Sequence, residues 1–79
     1  MAAIEIHMLT NPPPGVDSAH IARLFREYRL WVRMKGDRFG SHQAYKTLAG
    51  AKSRFSRIYV NLALHPKPVW VQETKTIGP

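Results

Sequence analysis

The chain has 79 residues, no cysteine and a formal net charge of +7, from twelve Lys and Arg against five Asp and Glu. That length bounds it to one small domain, residues 1–79, expected to be α+β from the element pattern below, and the missing cysteine excludes both a disulfide framework and a Cys-rich zinc site while fitting a reducing, cytoplasmic setting. No run of about eighteen apolar residues offers a membrane span, and the opening MAAIEIHMLT, with Glu5 and His7 and no basic residue, does not read as a secretory signal.

In chain order, Ile4, Ile6 and Met8 alternate with Glu5 and His7, which predicts a half-buried strand over Ala3 to Leu9. Asn11-Pro12-Pro13-Pro14-Gly15 then fixes φ and removes backbone donors, so a stiff loop is expected. Ile21, Leu24, Phe25 and Tyr28 follow at helical spacing after a capping Asp17 or Ser18, which predicts a helix from Ser18 to Glu27. This helix passes into the next element with almost no loop. From Tyr28 the period becomes two, with Leu30, Val32 and Met34 on one face and Arg29, Trp31, Arg33 and Lys35 on the other. Lys35-Gly36-Asp37 signals a turn, and a short strand from His42 to Lys46 would pair back with Tyr45 inward. Thr47 caps a helix whose apolar stripe is Leu48, Ala51, Phe55, Ile58, Tyr59 and Leu62, ending near Ala63 ahead of Pro66 and Pro68. VWVQETKT, from Val69 to Thr76, reads as a last strand with Val69 and Val71 inward.

The expected order is βαββαβ, a ferredoxin-like four-stranded antiparallel sheet with both helices on one face. The alternative is a ββαβ unit with the N-terminal segment docked against it. The expected core is Ile4, Ile6, Met8, Ile21, Leu24, Phe25, Leu30, Val32, Tyr45, Leu48, Phe55, Ile58, Tyr59, Leu62, Val69 and Val71.

Little in the chain points to catalysis. The five acids are dispersed without paired spacing, and adjacent Ser41 and His42 on a strand would point to opposite faces. His7, His20, His42 and His65 fall on four elements with no metal-ligand spacing, so neither metal nor cofactor is expected. The loop after the first strand lacks the arginine that acylphosphatases carry there. Glu5 and His7 would occupy the positions where RNA-recognition sheets place exposed aromatics.

The charge is the informative feature. Ten of the twelve cations lie between Arg23 and Arg57, opposed there by only Glu27 and Asp37, so that window is +8 and the remainder −1. Arg29, Trp31, Arg33 and Lys35 alternate on one strand face, where the cations could neutralise phosphates and the indole could stack on a base. Arg38, Lys46, Lys52, Arg54 and Arg57 would extend the footprint on DNA or RNA. This reading requires that the indole be open to solvent and that its flanking guanidinium groups be free of the chain's own carboxylates.

The runs WVRMKG and AYKTLAGAKSRF resemble small phage-encoded proteins and the arm-binding domains of phage integrases, in which a basic hairpin ends in a Lys-Thr step and an Ala/Lys-rich helix packs behind it. The resemblance covers about a third of the chain and implies DNA contact by Arg29, Trp31, Arg33, Lys35 and Arg38. The Pro-rich N-terminal half and the strand after the helix depart from it. A phage accessory protein that disables a host factor is resembled equally well, with Trp31 or Trp70 anchoring on an acidic protein surface. A homodimer through the open sheet face or an edge strand is the third expectation.

Overall fold

The computed structural model describes residues 2–77 as five strands and one helix. They are β1 (Ala2–Leu9), β2 (Val16–Leu24), β3 (Glu27–Met34), β4 (Ser41–Tyr45), α1 (Leu48–Tyr59) and β5 (Trp70–Ile77). The sheet is antiparallel throughout, in the order β4-β3-β2-β1-β5, and α1 packs across β2, β3 and β4. This overturns the ferredoxin-like expectation of four strands and two helices, and the helix expected from Ser18 to Glu27 is strand β2 with the start of β3.

The reason lies in the position of β2. It is the central strand, and it buries side chains on both sides: Ala19 and Ile21 toward the helix, Ala22 on the opposite face. A strand buried on both sides shows no clean alternation, and a short apolar run of that kind is indistinguishable from a helical stripe by period. The turn into β3 also lacks the usual signal. Leu24 pairs with Glu27, so the hairpin turns on two residues, Phe25 and Arg26. Phe25 adopts φ 59°, a left-handed conformation normally left to Gly or Asn in such turns. Its ring, expected in the core, is 99% exposed.

The core consists of Leu9, Val16, Ala19, Ile21, Leu30, Val32, Ala51 and Phe55, with Phe55 and Ile21 fully buried. Tyr45, Leu48 and Tyr59 pack against it from the margin. Ile4, Ile6 and Met8 do not belong to it. Ile6 lies opposite Ala22 and Met8 opposite His20, which puts this stripe on the face away from α1. His7 and Leu9 turn toward the helix instead, and the buried imidazole of His7 is satisfied by the Glu5 carboxylate at 2.7 Å. Leu24 is only partly covered, while Ile58, Leu62, Val69 and Val71 are exposed.

Thr47 caps α1 as expected, its Oγ1 accepting from the Gly50 N–H at 3.0 Å. The helix ends four residues before the expected Ala63. Val60 is already extended, and the Asn61 Oδ1 accepts from the Ala63 N–H at 3.1 Å, which offers the backbone a turn in place of another helical bond. The Pro-rich loop is stapled to the segment before β5. Asn11 accepts from the Val69 N–H at 2.7 Å and donates to the Lys67 carbonyl at 3.0 Å, while the Thr10 N–H donates to the Val69 carbonyl at 2.9 Å. These bonds do for the loop what the prolines cannot, and they deliver β5 to the outer side of β1.

Candidate nucleic-acid interface

One helix covers one face of the sheet and leaves the other open. Because directly paired residues share a face, the open face can be read from the register. One row across it runs Val71, Met8, His20, Trp31 and His42; the next contains Glu73, Ile6, Ala22, Arg29 and Ala44. Trp31 thus stands near the middle of β3, as the alternation expected, with Arg29 two residues to one side and Arg33 two to the other.

The indole is neither sealed nor bare. It lies half-buried between two imidazoles, stacked on His20 at 5.1 Å between ring centroids and 11° between planes, and tilted at 32° against His42 at 5.6 Å. Burial, and after it the positive charge of Lys75, pushes the His20 pKa down, so at neutral pH this side of the sandwich is an uncharged ring. Beside the sandwich, Ser18, His20, Trp31, Arg33 and Gly40 line a hollow of about 200 Å³. Gly40 is required there, since a Cβ would sit 2.9 Å from the Val32 carbonyl oxygen.

Nothing in the residue pattern pairs His20 or His42 with Trp31. His20 fell within the expected helix. His42 could have been placed by alternation from inward Tyr45 only with the strand bounds known, since one residue of slip inverts its face.

The flanking guanidinium groups are engaged within the chain. Arg33 donates from Nε to Asp17 Oδ2 at 2.9 Å, and its Nη2 also contacts that oxygen. Arg29 Nη2 stands 3.5 Å from Glu27 Oε2. The condition that both be free is therefore not met. All four side chains are well exposed, however, and exposed ion pairs of this kind contribute about 0–1 kcal/mol. A phosphate can exchange for such a carboxylate at small cost.

The other expected contacts divide between two layers. Lys35 and Arg38 are exposed on the β3–β4 turn, which Gly36 enters at φ 87°, and Lys46 is exposed where β4 leads into α1. Lys52, Arg54 and Arg57 belong to α1, across the sheet from Trp31, so the nine residues cannot form a single footprint around the indole. Among the described residues none of these six cations is ion-paired.

Trp70 likewise lies on the helix side, reversing the expected orientation of β5. Its ring meets Phe55 edge-on at 5.3 Å and 88°. It lines an open groove of about 600 Å³ with Lys52, Leu62, Lys67 and Val69. Residues 38–72 hold six Lys and Arg and no acid, and the charged residues in the groove's lining are Lys52 and Lys67.

Among the described residues, no three His, Asp or Glu side chains gather as metal ligands do, and no helix is long and apolar enough to cross a membrane. The fold and site define a class, a basic α+β domain with a one-sided sheet and an aromatic row on its open face. Compared with known proteins, the chain matches no family model, no curated protein and no solved structure.

Proposed function

We propose that this domain binds nucleic acid through the open face of β2, β3 and β4, with the β3–β4 turn gripping the phosphate backbone. The carrying observation is Trp31, held on the uncovered face between two imidazoles with a guanidinium on either side along its strand. Stacking is the part of single-strand recognition that needs a pre-set aromatic surface, and phosphate contact needs only cations within reach. Lys35, Arg38 and Lys46 supply unpaired charge, and Arg29 and Arg33 supply charge that a phosphate can draw away from its carboxylate.

Binding of fluorescent single- and double-stranded DNA and RNA across a salt series tests this reading. If these five cations each neutralise one phosphate on duplex DNA, log K falls against log[salt] with a slope of about −4.5. Lys35→Ala with Arg38→Ala flattens the slope, and Trp31→Ala weakens single-strand binding by about 1–3 kcal/mol. Arg54→Ala with Arg57→Ala, on the far layer, leaves both nearly unchanged. Binding that ignores salt, or that loses more from the helix pair than from the turn pair, sinks the proposal.

A second reading is favoured by the groove beside Trp70. Exposed Leu62 and Val69 between Lys52 and Lys67 suit an acidic protein segment with an apolar anchor, as a host-directed inhibitor would require. A pulldown that survives nuclease treatment and is abolished by Leu62→Asp supports it. One that nuclease removes returns the argument to the open face.

A further inference from the structure

The sheet has two outer strands, and they differ. β4 has five residues, whereas β5 has eight and, among the described residues, pairs only with β1. Every residue from 71 to 76 is exposed. The strand is regular, without proline or glycine, and such an edge offers a row of backbone donors and acceptors to another strand. Its only charged residues are Glu73 and Lys75, both on the open face. Across the β1 ladder they lie opposite Ile6 and Ile4, and neither is ion-paired.

We infer that this edge is a self-association surface, on which β5 pairs antiparallel with β5 of a second copy, Thr74 at the two-fold axis and Glu73 opposite Lys75 of the other chain. Symmetry narrows the choice of register. A two-fold that joins antiparallel strands side by side stands perpendicular to the sheet and keeps corresponding faces on one side, so paired positions must be both odd or both even. The axis therefore lies midway between the two copies of one residue. Centred on Glu73 it sets Glu73 against itself, and centred on Lys75 it sets Lys75 against itself; both juxtapose like charges, which oppose pairing. Centred on Thr74 it sets Glu73 against Lys75 twice and Gln72 against Thr76 twice. Among the symmetric registers, including those centred on Gln72 or Thr76 that leave both charges opposite uncharged residues, only the one centred on Thr74 sets Glu73 against Lys75, and this self-complementarity points to another copy of the strand as the occupant. The product is a continuous ten-stranded sheet in which both open faces look the same way. This inference stands on β5 alone and does not require the nucleic-acid reading.

An edge-to-edge contact of this length falls at the weak end of specific interfaces, below about 1,200 Å². Sedimentation of the full chain, cleared of nucleic acid with nuclease, is therefore followed into the millimolar range. A monomer–dimer equilibrium from 9.0 kDa to twice that mass is expected. Lys75→Glu weakens dimerisation at least about tenfold, since it places Glu73 against Glu in both pairs, and the exchange Glu73→Lys with Lys75→Glu restores it. These positions are exposed, and an unchanged circular dichroism spectrum verifies that the variants remain folded. Because the natural chain has no cysteine, Thr74→Cys introduces a single thiol at the axis. On mild oxidation it should form a disulfide-linked dimer, whereas Gln72→Cys and Thr76→Cys cross-link poorly alone and well when mixed. A monomer at every concentration, equal cross-linking at all three positions, or failure of the charge exchange to restore the dimer overturns the inference.

Discussion

The two faces of the sheet are built from alternate residues of the same strands, yet they are held together differently. On the covered face, Ile21, Leu30 and Val32 close around Phe55, and removing apolar surface from water does the stabilising. On the open face, one residue away in each strand, His20, Trp31 and His42 stack in a row beside exposed ion pairs. Contacts of that second kind are individually worth about 0–1.5 kcal/mol. The covered face can therefore tolerate little change, whereas the open face can exchange its partners without unfolding the chain. That is the property a binding surface needs.

The largest effect that tests this contrast is Phe55→Ala. It removes a fully buried ring that also packs against the rings of Tyr59 and Trp70, and it should cost about 3–5 kcal/mol. A domain of this size has only about 5–15 kcal/mol in all, so the variant should be substantially unfolded on mild heating, followed by circular dichroism. Trp31→Ala should cost less than half as much. Equal losses from the two would show that both faces are core.

Next in size is the turn between β2 and β3. Phe25 pays about 1–2 kcal/mol for its left-handed backbone and gains no burial from its exposed ring. Phe25→Gly relieves that strain but adds chain entropy of about 0.5–1 kcal/mol to the unfolded state. A net stabilisation near 0.5–1 kcal/mol is expected, seen as a higher urea midpoint at unchanged slope. A lower midpoint would mean that the ring makes a stabilising contact after all.

A smaller effect depends on pH. The unfolded His20 takes up a proton near its ordinary value of about 6.5, whereas the folded one does so only at lower pH. Between the two values the unfolded chain binds more protons, so stability rises with pH there. The contribution is complete above about pH 6.5 and is lost as pH falls through the folded pKa. The groups facing His20 are Trp31, opposite it on β3, Met8, opposite it on β1, and Lys75, whose charge acts in the same direction as burial. Thermal melts of His20→Asn should show a shallower fall on acidification than the natural chain. Identical slopes would place the acid sensitivity elsewhere.

The smallest expected stability change accompanies the sharpest functional one. Asp17→Asn breaks the exposed ion pair with Arg33 and should shift stability by no more than about 1 kcal/mol. It frees a guanidinium beside Trp31, so nucleic-acid affinity at low salt should increase. Unchanged affinity would show that Arg33 contributes nothing to binding.

Much of the local structure was legible in the residues. Period two disclosed β1, β3 and β5; Thr47 and the stripe through Phe55 disclosed α1; and the alternation in β3 put Trp31 opposite Leu30 and Val32. β2 was illegible for two reasons. Its position between neighbours buries both of its faces, and its turn is made by Phe25-Arg26 without the glycine or asparagine that would have announced it. The same gap hid His20, and with it the aromatic sandwich. Sequence by itself thus determined which residues alternate, where the helix begins and where the charge is concentrated. Tertiary structure decided which of two alternating faces became the interior. Ile4, Ile6 and Met8 looked like the core side of β1, but pairing His7 with Ile21 turned them away from the helix. Alternation specifies only that faces differ. The single helix, docking through Phe55 onto β2, β3 and β4, chose between them.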